Sequence, residues 1–231
     1  MKICVIPARG GSKRIPRKNI KEFAGKRMIC YAIEAAKKAN IFDEIYVSSE
    51  SIEIQDIAEE AGISVIQRPE ELADDHTTTN AVIAHAIEYL GSIGKSCDLV
   101  ACIYPCVPFI RVEDLQEAYR IIDESLEPSY VFPVTEFPSH VKRALQRDSL
   151  GKMSPLFQEN TFKRSQDLEK VYYDVGQFYI GTVDAWLSGK SPHEIGAGMV
   201  IPHWRVVDID TPEDWFFAEL IYEALVQRGK L

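Results

Sequence analysis

Apolar positions along the chain alternate between two textures. Short unbroken runs, such as Lys2 to Ile6 before Pro7, Ile45 to Val47, Ser64 to Ile66, Leu99 to Tyr104 and Val131 to Val134, predict buried strands. Between them the apolar residues recur at helical spacing: Ile29, Ala32, Ile33 and Ala36 within Met28 to Ala39, and Ile83, Ala86, Ile87 and Leu90 within Thr77 to Leu90. Ile52 to Glu60, ending near Gly62, and Val112 to Ser125 read as further helices. Strands buried on both faces and separated by helices predict a mainly parallel sheet between two helical layers, an α/β/α sandwich. The rhythm breaks between about residues 136 and 173, where Pro138, Pro155 and scattered charges interrupt short apolar stretches. That segment is expected to be an inserted β-rich arm in an otherwise single domain spanning 1–231. Tyr173 to Gly181 returns to the core, and Val200 to Ile209 is expected to form the last strand. Thr211, Pro212 and Asp214 then supply an N-cap, a proline at the first helical position and an acid at the third. The closing helix is expected to carry Phe217, Leu220, Ile221, Ala224 and Leu225 on one face.

Composition narrows the class. A chain of 231 residues with 46% hydrophobic and 26% charged residues has the make-up of a globular protein that can bury a full core without a metal or disulfide. No run approaches 18 uncharged apolar residues, and the opening MKICVIPARGG lacks the apolar core of a signal peptide. A soluble, cytoplasmic protein is the expectation. Five cysteines, with Cys4 and Cys102 in strand-like runs, fit free thiols, and Cys102 and Cys106 have no second pair to complete a zinc site. A net charge of −9 argues against general binding to nucleic acid or membranes. Against that balance, residues 9–21 hold Arg9, Lys13, Arg14, Arg17, Lys18 and Lys21 and no acid, which suggests a small, highly charged anion as ligand.

Two constellations carry candidate chemistry. Pro7-Ala8-Arg9-Gly10-Gly11-Ser12-Lys13 directly follows the first strand, where open α/β sheets bind ligands. Its glycines let backbone N–H groups approach phosphate oxygens and its cations offset their charge, although neither GxxxxGK[ST] nor GxGxxG is present. The plainer alternative is a solvated basic turn. In Val206-Val207-Asp208-Ile209-Asp210, extended backbone would put Asp208 and Asp210 on one side, a pair suited to Mg²⁺ and its bound phosphates. The alternative is that these acids merely end a strand and cap the next helix. The five histidines are scattered at no ligand spacing.

The opening Val5-Ile6-Pro7-Ala8-Arg9-Gly10-Gly11-Ser12-Lys13 followed by Pro16-x-Lys18-Asn19 resembles that of the cytidylyltransferases that activate acidic sugars, the CMP-sialate synthetase family. Arg68-Pro69 with Leu72-Ala73, Pro105-x-x-Pro108 and Asp208-Ile209-Asp210-Thr211-Pro212-Glu213-Asp214 extend the resemblance in order to position 214. It implies a Rossmann-like fold of the nucleotide-diphospho-sugar transferase type. It also implies a reaction in which the anomeric hydroxyl of an acidic sugar attacks the α-phosphorus of CTP and releases pyrophosphate. Ala8, Arg9, Gly10, Gly11 and Ser12 would hold the triphosphate, Lys18 would offset charge developing in transfer, and Asn19, Arg68 and Thr79 would contact the nucleotide. Asp208 and Asp210 would hold Mg²⁺. Such enzymes are typically homodimers whose arm reaches the partner's sugar pocket, which makes Lys142 a candidate contact in trans.

Departures from the family bear on the sugar. Tyr104-Pro105-Cys106-Val107-Pro108 stands where sialate enzymes read Gln-Pro-Thr-Ser-Pro, and Val175-Gly176-Gln177 where they read Asn-Gly-Ala. Loss of those amides argues against the usual sialic acid. Tyr104, Phe109, Arg164, Gln177, Phe178 and Tyr179 resemble the branch that handles pseudaminic acid, whose methyl-bearing, acylated ring suits aromatic walls, although these aromatics could equally be core. Sialic, legionaminic or 3-deoxy-octulosonic acid are the alternatives within the family. A nucleotide-binding protein without turnover is the alternative outside it.

Overall fold

A computed structural model describes residues 1–124 and 129–230. β1 (Lys2–Pro7) leads through the basic loop to a small ribbon, β2 (Glu22–Phe23) and β3 (Lys26–Arg27), and on to α1 (Met28–Ala39). Then follow β4 (Glu44–Ser49), α2 (Ile52–Glu60), β5 (Ser64–Gln67), α3 (Thr79–Ser92), β6 (Leu99–Ile103) and α4 (Val112–Glu124). Ser125, the expected end of α4, lies outside the described residues. β7 (Tyr130–Glu136), β8 (Leu145–Arg147), β9 (Met153–Pro155), β10 (Tyr172–Asp174) and β11 (Phe178–Thr182) come next. The chain ends through α5 (Val183–Leu187), α6 (Pro192–Ile195), β12 (Gly196–Val200) and α7 (Pro212–Gln227).

The main sheet runs β10-β7-β11-β6-β1-β4-β5, with β12 also paired to β7. One half, β6-β1-β4-β5, is parallel throughout. The other turns on β11, which is antiparallel to both β6 and β7. Alternation along β1 divides the core. Cys4 and Ile6 pack with Ile33 of α1, Ile54 of α2 and Leu115 of α4, whereas Ile3 and Val5 pack with Ile83 of α3 and Trp186 of α5. The expected sandwich of helices on both faces of a mainly parallel sheet is therefore what forms.

Three expectations are corrected. The last strand ends at Val200, where it was expected to begin. Pro202 brings no N–H to a ladder, His203–Arg205 form a 3₁₀ turn, and Val206 to Asp210 run on without a strand partner. In α7 the buried residues are Trp215 and Ala218, with Ile221, Tyr222 and Leu225 half-buried, while Phe217 and Leu220 face outward. The helix takes this phase because Trp215 and Tyr222 each meet the buried Phe23 ring edge-on at 5.4 Å. Between β7 and β10 the expected β-rich texture reduces to the three-residue β8–β9 pair and three 3₁₀ turns, Val141–Arg143, Gln158–Asn160 and Ser165–Asp167. Only Asn160 and Leu168 are buried between residues 137 and 171, too few to support a larger sheet there.

Candidate active site

The carboxyl ends of β1, β5 and β6 open onto a cleft of about 430 Å³. Arg9, Ser12, Lys18, Asn19, Arg68, Thr79, Tyr104 and Asp208 all line it. Eight residues expected from sequence to serve nucleotide, sugar or metal thus meet in one place, at the strand ends where α/β sheets bind ligands.

The basic loop is held from beneath. Arg68, at the end of β5, is buried and donates through Nη2 to the carbonyls of Ala8 and Ser48, 2.9 Å from the former. Burial depresses its pKa. Asn19 is also buried, and its Nδ2 donates to the Arg9 carbonyl at 3.0 Å. Both side chains line the cleft but hold the loop, so their bonds here are structural. Gly10 donates its N–H to Glu50 Oε1 at 2.7 Å, and a Cβ at this position would lie 3.0 Å from Ser51 Cβ. That close approach requires glycine, whereas Gly11 faces open space.

The cations are matched by acids from two other segments. Arg9 Nη1 lies 2.6 Å from Asp75 Oδ1 and donates to the Asp74 carbonyl at 2.9 Å, and Lys13 pairs with the same Asp75. These contacts hold the Asp75 carboxyl below its usual range. Arg14 makes a two-pronged pair with Asp210 at 2.8 and 2.9 Å. Lys18 donates to the Ile209 carbonyl at 2.7 Å and lies 3.4 Å from Asp210 Oδ1. Asp208 is pushed above the ordinary carboxyl range, first by burial and then by repulsion from Asp210. Arg14 and Lys18 both pair with Asp210, whereas Asp208 has no ion-pair partner among the described residues, so this acid pair fits a hard divalent cation completed by water and phosphate oxygens. Among the described residues no group of three or more His, Cys, Asp or Glu forms a complete protein cage.

Tyr104 closes the far wall. Its hydroxyl lies 2.7 Å from Thr79 Oγ1, and burial pushes its pKa up to about 12, so the phenol stays neutral. Beyond Thr79 and Tyr104 lies a second bay of about 170 Å³, walled by Tyr179, Trp186, Pro192 and His193. The Tyr179 hydroxyl donates to Asp174 at 2.5 Å, and His193 Nε2 pairs with the same carboxylate.

Other expected residues lie elsewhere. Gln177 is buried, its Nε2 3.5 Å from the Arg205 carbonyl, and it is its neighbour Gly176 that lines the cleft. Phe109 and Phe178 are buried in the core and line neither cavity: Phe178 points inward from β11, and Phe109, in the turn between β6 and α4, packs in the cluster that holds Phe23 and Trp215. Lys142 pairs with Glu169 at 2.5 Å within the 137–171 segment, and Arg164 is exposed before a 3₁₀ turn in the same segment. Neither lines the cleft of its own chain. The sequence analysis missed Asp74, Asp75, Thr77, Asp174 and His193. Acids just beyond β5, at a carboxyl strand end, are the signal that could have found Asp74 and Asp75.

Comparisons with known proteins place the chain in a family. A family model described as cytidylyltransferase matches residues 3–175. The chain is 40% identical over 226 residues to pseudaminic acid cytidylyltransferase of Campylobacter jejuni, covering 96% of each. It is 32% identical over 230 residues to CMP-N,N'-diacetyllegionaminic acid synthase of Legionella pneumophila, again covering 96% of each. The structure of CMP:2-keto-3-deoxy-manno-octonic acid synthetase complexed with CTP superposes with a TM-score of 0.71, at 16% identity, over 98% of this chain and 99% of that one. No described helix is long and apolar enough to cross a membrane. Sequence and fold together make this chain a member of the cytidylyltransferase family, within the CMP-sialate synthetases.

Proposed function

We propose that this enzyme couples CTP to pseudaminic acid, giving the CMP-sugar and pyrophosphate, with Mg²⁺ held by Asp208 and Asp210. One observation carries the reading: the cation-lined cleft and the aromatic bay share a wall, Thr79 and Tyr104, so a nucleotide in one and a sugar in the other would meet there. Arg9, Ser12 and the backbone of Gly11 bind the β- and γ-phosphates, the Gly10 N–H being already engaged by Glu50, and Lys18 faces the charge that builds as the sugar oxygen forms its bond to the α-phosphorus and the bridging oxygen leaves with pyrophosphate. A bound Mg²⁺ supplies Lewis-acid neutralisation of the phosphate oxygens. Tyr104 and Thr79 orient the sugar, and Asp174 fixes the Tyr179 hydroxyl.

Aromatic walls with few amides favour a sugar bearing methyl and acyl groups, which supports pseudaminic acid over a more hydroxylated relative. Lys142 and Arg164 point to a homodimer: they belong to a segment that exposes Leu150 (92%) and Phe162 (99%), and they act on the partner's bay. The test is pyrophosphate release with CTP and Mg²⁺, pseudaminic acid and N-acetylneuraminic acid being compared directly. Turnover with pseudaminic acid alone is expected. Turnover with N-acetylneuraminic acid at equal efficiency would overturn the sugar assignment, and CTP binding without turnover of any acidic sugar would overturn the enzymatic reading.

A further inference from the structure

The run that carries Asp208 and Asp210 has no strand to hold it. β12 ends at Val200, and the last bonds to β7 are made by Ile201, whose N–H donates to the Val134 carbonyl and whose carbonyl accepts from Thr135 Oγ1. Val206 and Val207 are half-buried against the core, and the next fully buried apolar residue is Ile209, held through its carbonyl by Lys18. Between them, among the described residues, the polar ties to other parts of the chain all converge on Arg205. Its guanidinium donates to both carboxylate oxygens of Asp114, at 2.6 and 3.0 Å, and its carbonyl accepts from Gln177 Nε2.

This pair is unlike the other ion pairs of the molecule. The Arg205 side chain is 6% exposed and that of Asp114 12%, whereas the remaining pairs lie at the surface or the cleft rim. A two-pronged guanidinium–carboxylate contact fixes direction as well as distance, and burial removes the competing water. Asp114 sits in the first turn of α4, just after the loop that begins with Tyr104, Pro105 and Cys106 on the cleft wall. The bond therefore ties one wall of the cleft to the segment that delivers the two acids.

We propose that Arg205 and Asp114 are positioning residues for the metal-binding acids, setting where Asp208 and Asp210 stand relative to the nucleotide phosphates. Because the two charges cancel each other, their action on Asp208 is geometric. Groups that orient metal ligands from behind typically change metal affinity about 10–100-fold when altered. This inference rests on the reading that Asp208 and Asp210 bind a divalent cation.

The test is Mn²⁺ titration of the enzyme–CTP complex without sugar, followed by water proton relaxation, together with kcat and the KM for CTP. Arg205→Lys, which keeps the charge but loses the fork, and Asp114→Asn are each expected to weaken Mn²⁺ binding about tenfold and lower kcat comparably. The KM for CTP is expected to stay within about twofold, because Arg9, Ser12 and the loop backbone are untouched. Lys95→Met, which breaks the Lys95–Glu44 pair at the opposite end of the sheet, controls for loss of stability and should leave Mn²⁺ binding unchanged. Folded variants with lowered Tm but wild-type Mn²⁺ affinity and kcat would overturn the positioning role. Mn²⁺ affinity that survives Asp208→Asn with Asp210→Asn would overturn the underlying metal reading, and this inference with it.

Discussion

The nucleotide cleft and the 137–171 segment are built on opposite principles. Three groups that face the cleft are tied to buried residues: Arg68 at the end of β5, Asn19 beneath the basic loop, and Lys18 on the carbonyl of buried Ile209. The 137–171 segment buries only Asn160 and Leu168 and presents Leu145, Leu150, Met153, Leu156 and Phe162 to solvent. A cleft rigid enough for phosphate transfer needs its donors fixed before the substrate arrives. A segment so poor in core of its own acquires shape only against another surface. The first region is assembled from one chain, and the second is the segment proposed above to act between chains.

That contrast breaks most visibly at Lys18. Lys18→Ala should lower kcat about 10²–10³-fold, the usual cost of one donor aimed at developing charge, with little change in the KM for the sugar. Retention of wild-type kcat would mean that the cleft is not the reaction centre. A smaller effect is expected from Leu150→Asp with Phe162→Asp. Sedimentation should show monomers, CTP binding by calorimetry should persist, and the KM for the sugar should rise about tenfold as the partner's Lys142 and Arg164 are lost. Unchanged sedimentation would leave the segment without its assigned role. The smallest effect sharpens the picture from within the cleft. Asp75 occupies Arg9 and Lys13 as a phosphate would, so Asp75→Asn should lower the KM for CTP about two- to fivefold, most clearly at low salt. A rise in that KM would mean that Asp75 contacts the nucleotide side chain-on instead of competing with it.

Much of this was legible in the sequence because it is local. Helical spacing in Met28 to Ala39, the unbroken apolar run of β6, and the clustering of six cations beside two glycines are all contained within a dozen or so residues. Asp208, which lines the cleft, was expected there, and so were Thr211 and Asp214 at the start of α7, where they form a reciprocal capping box. What escaped was set by distant partners. Arg205 and Asp114 stand 91 residues apart, and neither looks unusual in its own neighbourhood. The phase of α7 was misread because Phe217 and Leu220 are as apolar as Trp215 and Ala218. The choice of face belongs to the Phe23, Tyr31 and Phe109 surface on which the helix lands. Phe109 and Phe178 were equally open to core or pocket, and only tertiary packing decides between the two.

The change of direction across the sheet also divides the labour of evolution. β6 is the seam, parallel to β1 on one side and antiparallel to β11 on the other. On the parallel side β1 carries the loop proposed to hold triphosphate, while β11, with β10 beside β7, carries Tyr179 and Asp174 at the bay. On the proposed reading, substitutions in the antiparallel half would remodel the acceptor's bay while leaving the donor's phosphate loop in place.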